Sequence, residues 1–281
     1  MPTPTFIGIG AQKCASTWIY DILSDHPQAA LSGLKEVDFF SYKYDHGLQW
    51  YERNFDERFS GQPVVGEISP SYFHEPAVPE RVLRHYPDIK LIVSLRNPVK
   101  RAISNHTHEI RVGHFGGSDL SLEKGLANNP TYVDQGLYAK HLQRWLEVFP
   151  RENVLVLVFE EVIADRTKAA KQIYEFLGID SAHQSAFLDS KSNPGYVNKS
   201  KGLESFRKKA RGMVKSVGLD AVWGMAAKLG LRKLYSNMNK VPGSKAVPAP
   251  KDETVVQLQQ LFEQDIEQLE ALLARDFTIW R

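Results

Sequence analysis

Thr5-Phe-Ile-Gly-Ile-Gly-Ala-Gln-Lys-Cys-Ala-Ser-Thr-Trp-Ile-Tyr-Asp-Ile-Leu23 reads as a buried strand, a tight loop and a helix in immediate succession. Phe6, Ile7 and Ile9 make a short apolar run closed by Gly8 and Gly10, and from Ser16 onward Trp18, Ile19, Ile22 and Leu23 repeat at helical spacing. Between them lies Gln12-Lys-Cys-Ala15. Small residues there let the backbone N–H groups at the helix start converge on an anion, Lys13 adds a point charge, and the Ser16 and Thr17 hydroxyls add short donors. The stretch predicts a phosphate cradle, against the plainer reading of a strand-to-helix turn with a surface lysine. It departs from the nucleotide-triphosphate loop Gly-x-x-x-x-Gly-Lys-Ser/Thr, because no glycine precedes Lys13 and two residues separate Lys13 from Ser16. The expected ligand bears phosphate but need not be a triphosphate.

Outward from this unit, strands and helices alternate. Ala29 to Ser32, Val64 to Ser69, Lys90 to Arg96 and Asn153 to Phe159 read as strands, the last two apolar enough to be buried on both faces. Helices are expected from Pro79 to near Tyr86, from Asn97-Pro98 to about Val112, from Gly136 to Phe149, from Ala164 to Leu177 before Gly178, and from Lys251 to Arg275. The last presents Val255, Leu258, Leu261, Phe262, Ile266, Leu269 and Leu273 as one face, with Phe277 and Trp280 packing its end. Gly113 to Asn129 is loop-rich, and His46-Gly-Leu-Gln-Trp-Tyr51 with Phe55 reads as an aromatic flap or short helix. Such alternation favours α/β architecture, a parallel sheet with crossover helices whose ligands sit at the carboxyl ends of the strands.

At 281 residues with an apolar fraction of 42%, the chain is long enough to fold without staples. The single cysteine, Cys14, forms no internal disulfide or thiolate cluster and fits a reducing compartment. Met1 to Thr5 lacks a leader pattern, and no run approaches the roughly 20 residues that span a bilayer. The expectation is a soluble cytoplasmic protein. The net charge of +2 gives no bulk attraction to nucleic acid, yet residues 199–245 carry twelve Lys or Arg against Glu204 and Asp220, so that segment is +10 and the remainder −8. The whole of 1–281 reads as a single domain with 189–247 as a basic helical insertion or lid. That insertion could recruit an anionic acceptor, contact a membrane surface through 203–235, or cover the site.

The strand ending in Arg96 separates reaction classes. A phosphate-loop hydrolase or kinase normally ends such a strand in Asp to hold Mg²⁺. Here an arginine fork is followed by Asn97-Pro98 and, eight residues on, by Ser104, which together suit a second phosphate. Two phosphate cradles without an evident Mg²⁺ acid describe a nucleotide phosphorylated at two places.

On these residues the sequence resembles the sulfotransferases that use 3′-phosphoadenosine 5′-phosphosulfate (PAPS), most nearly their heparan-sulfate-type and bacterial branch. The matching motifs are Gln12-Lys-Cys-Ala-Ser-Thr17, Lys35-Glu-Val-Asp-Phe-Phe40, His46-Gly-Leu-Gln-Trp-Tyr51, Glu67-Ile-Ser-Pro-Ser-Tyr-Phe73, Leu95-Arg-Asn-Pro-Val-Lys-Arg-Ala-Ile-Ser104, Gly136-Leu-Tyr138 and Asp276-Phe-Thr-Ile-Trp280. The resemblance implies a P-loop-like three-layer fold and metal-free, in-line sulfuryl transfer to an acceptor hydroxyl or amine, with 3′-phosphoadenosine 5′-phosphate (PAP) as product. It implies that Lys13 stabilises the leaving oxygen and that Glu36 takes the acceptor proton, with His106 or His108 as rival bases. Cys14, Ala15, Ser16, Thr17 and Trp18 would line the 5′ side of the cofactor, Arg96 and Ser104 the 3′ side, and either Ser200-Lys201-Gly202 or Ser244-Lys245 a third loop. Lys35, His46, Tyr72 and Tyr138 are expected on the substrate side. Glu36, close to Lys13 and Lys35, should have a low pKa, which makes it a modest base unless closure of the site desolvates it. Cys14, at a helix N-terminus, should oxidise easily.

Two departures matter. Ala15 stands where the family commonly has Gly, and Ile68 where heparan-type members carry a lysine after Glu67. The acceptor, whether carbohydrate, lipid or small metabolite, and the oligomeric state stay open. A kinase, marked by Mg²⁺-dependent ATP turnover, and a catalytically silent nucleotide- or glycan-binding module are the alternatives.

Overall fold

A computed structural model of the chain describes residues 2–190, 196–198, 240–242 and 247–281. Five strands, β1 (Phe6–Gly10), β2 (Ala29–Leu31), β3 (Val64–Ile68), β4 (Lys90–Leu95) and β5 (Val154–Val158), form one sheet in the order β2-β3-β1-β4-β5. Every pairing is parallel, with Phe6 opposite both Gly66 and Lys90. β1 is fully buried at its centre, as its uninterrupted apolar run requires. A side chain at Gly66 would run into the Phe6 ring and carbonyl, so the close β1–β3 approach needs glycine there.

Described helices are α1 (Ser16–Ser24), α2 (Phe39–Tyr42), α3 (Leu48–Glu52), α4 (Val78–His85), α5 (Pro98–Val112), α6 (Leu122–Asn128), α7 (Thr131–Asp134), α8 (Tyr138–Leu146), α9 (Phe159–Ala164), α10 (Arg166–Leu177) and α11 (Asp252–Leu273). Phe6, Ile68, Ile92 and Leu157 face one way from the sheet and pack with Trp18, Ile22 and Leu23 of α1 and Ile173, Tyr174 and Leu177 of α10. Alternation sends Ile7, Ile9, Leu91, Val93 and Leu95 to the opposite face. α11 packs on α8, and the Trp145 indole N–H donates to the Phe73 carbonyl at 3.2 Å. The resulting helix–sheet–helix layering is the P-loop-like α/β fold.

Two compact units are distinguished. The sheet and its helices occupy residues up to 105 together with 129–192 and 251–281. The other takes in 106–128, including α6 within the stretch expected to be loop, and the antiparallel strands β6 (Tyr196–Asn198) and β7 (Lys240–Pro242). The expected Lys201, Gly202 and Lys245 cofactor contacts and the helical pieces of 203–235 lie outside the described residues.

Two expectations are corrected. The helix from Ala164 to Leu177 is broken at Asp165, whose carboxylate accepts the Lys168 N–H at 2.9 Å and so begins α10 afresh. On α11, Leu261 is 46% exposed while Asp265 is 7% exposed. Asp265 turns inward because its carboxylate accepts the Ala139 and Lys140 N–H groups at 3.0 and 3.2 Å, supplying from another helix the cap that the start of α8 needs. No described helix is long and apolar enough to cross a membrane.

Candidate active site

Strand order reverses beside β1, since the chain leaves it toward β2 and β3 and then crosses to β4. The loops after β1 and β4 therefore flank the crevice where open α/β sheets bind ligands. In the first loop Lys13 and Ala15 have φ of 68° and 72°. Left-handed residues of this kind turn neighbouring N–H groups to one side and make a concavity suited to an anion. α1 starts on that concavity without a side-chain cap. Among the described residues, the hydroxyls of Ser16, Thr17 and Ser104 take no partner.

Ala15 matters here through its backbone rather than through lost room. A Cβ in the left-handed region costs about 1–2 kcal/mol, partly offset by the greater unfolded-state entropy of glycine. Ala15→Gly should raise stability by roughly 1 kcal/mol, or about 2 °C in thermal unfolding. A lowered midpoint would show that the alanine is not strained.

Arg96 closes the other side of the crevice. Its Nη1 donates to the Lys13 carbonyl at 3.3 Å, and its guanidinium lies 4.5 Å from the centre of the Phe159 ring. Its carbonyl accepts the Tyr138 hydroxyl at 2.8 Å. Nε of Arg96 is buried with no partner, and the guanidinium takes no carboxylate among the described residues. A buried donor left open beside an anion concavity fits a second phosphate.

Several expected contacts are redirected inward. Trp18 is 3% exposed with its indole N–H on the Leu188 carbonyl at 3.1 Å, so its side chain belongs to the core rather than to a cofactor. The Cys14 thiol is buried between the Gln12 carbonyl and the Tyr138 hydroxyl, and burial pushes its pKa up to about 12. The helix-terminus argument for easy oxidation is thus overridden by desolvation. Tyr72 and Tyr138 are both 0% exposed. They cannot touch an acceptor in this conformation and instead position loops, Tyr72 donating to Glu67 at 2.6 Å and Tyr138 holding Arg96. His46 is exposed, with its ring 4.6 Å from that of Trp50. The His106 ring is held by the Leu120 carbonyl at 2.9 Å, and that of His108 lies 2.7 Å from Arg111.

Around Glu36 the charges are dense. Lys35 Nζ is 3.9 Å from its carboxylate, and the Lys35 charge is also felt by Glu67, Asp21 and Asp38. Burial lowers the pKa of Lys35 and makes it an internal partner of these acids. Glu36 itself is shifted upward, because desolvation outweighs the pull of Lys35 and Lys13. The expectation of a low value is corrected by this balance, and a raised carboxylate makes the better base. Ile68, the residue after Glu67, packs into the core.

Sequence reasoning missed the role of Glu67 as a buried acid. It is 0% exposed, accepts from Ser69 and Tyr72, and burial raises its pKa from an ordinary 4.5 to about 7. A folded-state pKa above the unfolded one means stability present in full below about pH 4.5 and lost progressively as pH rises to about 7, by roughly 3 kcal/mol. His26, His74, His85 and His141, lowered by burial, act in the opposite direction. The unfolding midpoint of Glu67→Gln should therefore fall less between pH 5 and 7.5 than that of the unaltered protein. Parallel curves would refute the assignment.

The loops carrying Lys13 and Arg96, brought together at the switch point of a parallel sheet, define a P-loop-like α/β protein. The chain belongs to the sulfotransferase domain family, whose model matches residues 3–217. It is 34% identical over 181 residues to heparan sulfate glucosamine 3-O-sulfotransferase 6 of Mus musculus, covering 63% of this chain and 52% of that protein. With the 3-O-sulfotransferase 3B1 of Homo sapiens it shares 33% identity over 211 residues, or 73% of this chain and 52% of the relative. The chain thus spans about half the length of these relatives. The crystal structure of a sulfotransferase from Alicyclobacillus acidocaldarius is similar over 100% of both chains, with a TM-score of 0.71 and 25% identity.

Proposed function

We propose that this chain is a PAPS-dependent sulfotransferase acting on a hydroxyl, with a carbohydrate as the favoured acceptor class. The observation that carries the proposal is the meeting of the two cradles, Arg96 Nη1 on the Lys13 carbonyl. When bound, PAPS supplies the sulfuryl group and leaves as PAP. Lys13 and the uncapped start of α1 offset the negative charge that develops on the departing 5′-phosphate. Ser16 and Thr17 hold that phosphate, and Arg96 and Ser104 hold the 3′-phosphate. Glu36, its side chain 38% exposed and its pKa raised by partial desolvation, takes the acceptor proton. The carbohydrate acceptor rests on the named activity of the heparan sulfate relatives, and the single buried thiol supports a reducing, cytoplasmic setting.

PAP at about a hundred times its dissociation constant should stabilise the fold by roughly 2.7 kcal/mol, read as a rise in the unfolding midpoint. A screen of sugars, lipids and small metabolites with radiolabelled PAPS then identifies the acceptor. No shift with PAP, together with Mg²⁺-dependent ATP turnover, would replace the proposal with a kinase.

A further inference from the structure

Asn97, next to Arg96, is fixed from three sides. Its N–H donates to Glu160 Oε1 at 3.1 Å, its Nδ2 donates to the Trp280 carbonyl at 2.7 Å, and its Oδ1 accepts the Lys100 N–H at 3.0 Å. The second oxygen of Glu160 accepts the Trp280 indole N–H at 3.0 Å. One carboxylate thereby joins the end of β4 to the C-terminal tail. The tail is itself tied down, Arg281 pairing with Glu263 and Glu270 and the Phe277 N–H donating to Glu270 at 2.9 Å.

This arrangement has an electrostatic consequence. Phe159 places its ring against the Arg96 guanidinium, and the next residue along is the acid Glu160. A carboxylate so placed is a natural partner for that arginine and would compete with an incoming phosphate. Both Glu160 oxygens are instead occupied by neutral N–H donors. Among the described residues, Arg96 is left without a carboxylate partner.

We propose that Trp280 is a positioning residue for recognition of the nucleotide 3′-phosphate: its indole holds the Glu160 carboxylate away from Arg96, and its carbonyl anchors Asn97 at the start of α5. This rests on Arg96 meeting the 3′-phosphate. Removing the indole donor frees one oxygen of Glu160 to turn onto Arg96 and occupy the fork. The loss falls chiefly on the 3′-phosphate, because the Lys13 loop keeps its own backbone path and loses at most the Arg96 bond to its carbonyl. The sequence signal was present as two consecutive acids, Glu160 and Glu161, directly after an apolar strand, together with a tryptophan at the chain's last turn.

Calorimetric affinities of the full chain for PAP and for adenosine 5′-phosphate form the test. Trp280→Phe keeps the ring and should weaken PAP roughly tenfold with a far smaller effect on the monophosphate. Adding Glu160→Gln should restore PAP affinity, since a neutral amide does not compensate Arg96. Glu160→Asp, which keeps the charge but shortens its reach to the indole, should mimic Trp280→Phe and serves if that variant does not fold. Equal weakening toward both nucleotides, or a loss that Glu160→Gln leaves unrepaired, marks Trp280 as merely structural and overturns the proposal. Arg96→Ala is the reference. If it spares the preference for PAP, the assignment of Arg96 fails and the proposal falls with it; if it abolishes the preference while Trp280→Phe does not, the Trp280 proposal alone is refuted.

Discussion

Lys13→Ala is expected to lower kcat by about 10²–10³-fold at saturating PAPS, the usual cost of losing one preorganised group that stabilises a leaving oxygen. The lysine sits in a left-handed backbone conformation inside the loop and its own carbonyl receives Arg96. Because alanine can keep the backbone path, the concavity of N–H groups survives and PAP affinity should fall far less than turnover. Initial rates with labelled PAPS, set beside calorimetric PAP affinity, separate the two. Equal losses in both would make Lys13 a binding residue only.

Glu36→Gln should reduce kcat by about 10²–10⁴-fold, the range for a positioned general base, with PAP affinity essentially unchanged. The pH profile gives a second handle. A base must be ionised to act, so the rate of the unaltered protein should fall as pH falls through the Glu36 pKa, on a limb lying above the ordinary glutamate value of 4.5 because burial raises it. The variant should lose that limb. An unchanged rate would remove Glu36 from its role. The histidine rivals have less to offer, since a His106 ring nitrogen is already engaged by Leu120 and the His108 ring by Arg111.

Much of the framework was legible because its signals are local. The apolar run of β1, the small-residue loop and the helical repeat of α1 stand side by side in the sequence, and the four later parallel strands fall within a residue or two of their expected ends. The two loops read as cradles were located by the same means, as loops after strands. What stayed hidden depends on side-chain direction and distant partners. Periodicity put Leu261 inside and left Asp265 unremarked, because the N–H groups that Asp265 caps belong to a helix more than a hundred residues earlier. Tyr72, Tyr138 and Trp18 were placed toward ligands by their motifs, yet each hydroxyl or indole N–H finds its partner within the protein. Cys14 and Glu36 shifted opposite to expectation for one reason: neighbouring charge is visible in sequence, whereas burial is not.

The most direct test is diffraction from crystals of the chain grown with PAP. The account predicts the 5′-phosphate on the N–H groups between Lys13 and Thr17 and the 3′-phosphate within hydrogen-bond distance, about 3 Å, of the Arg96 guanidinium and the Ser104 hydroxyl. A nucleotide bound elsewhere, or one in the crevice with its 3′-phosphate turned away from Arg96, would contradict it.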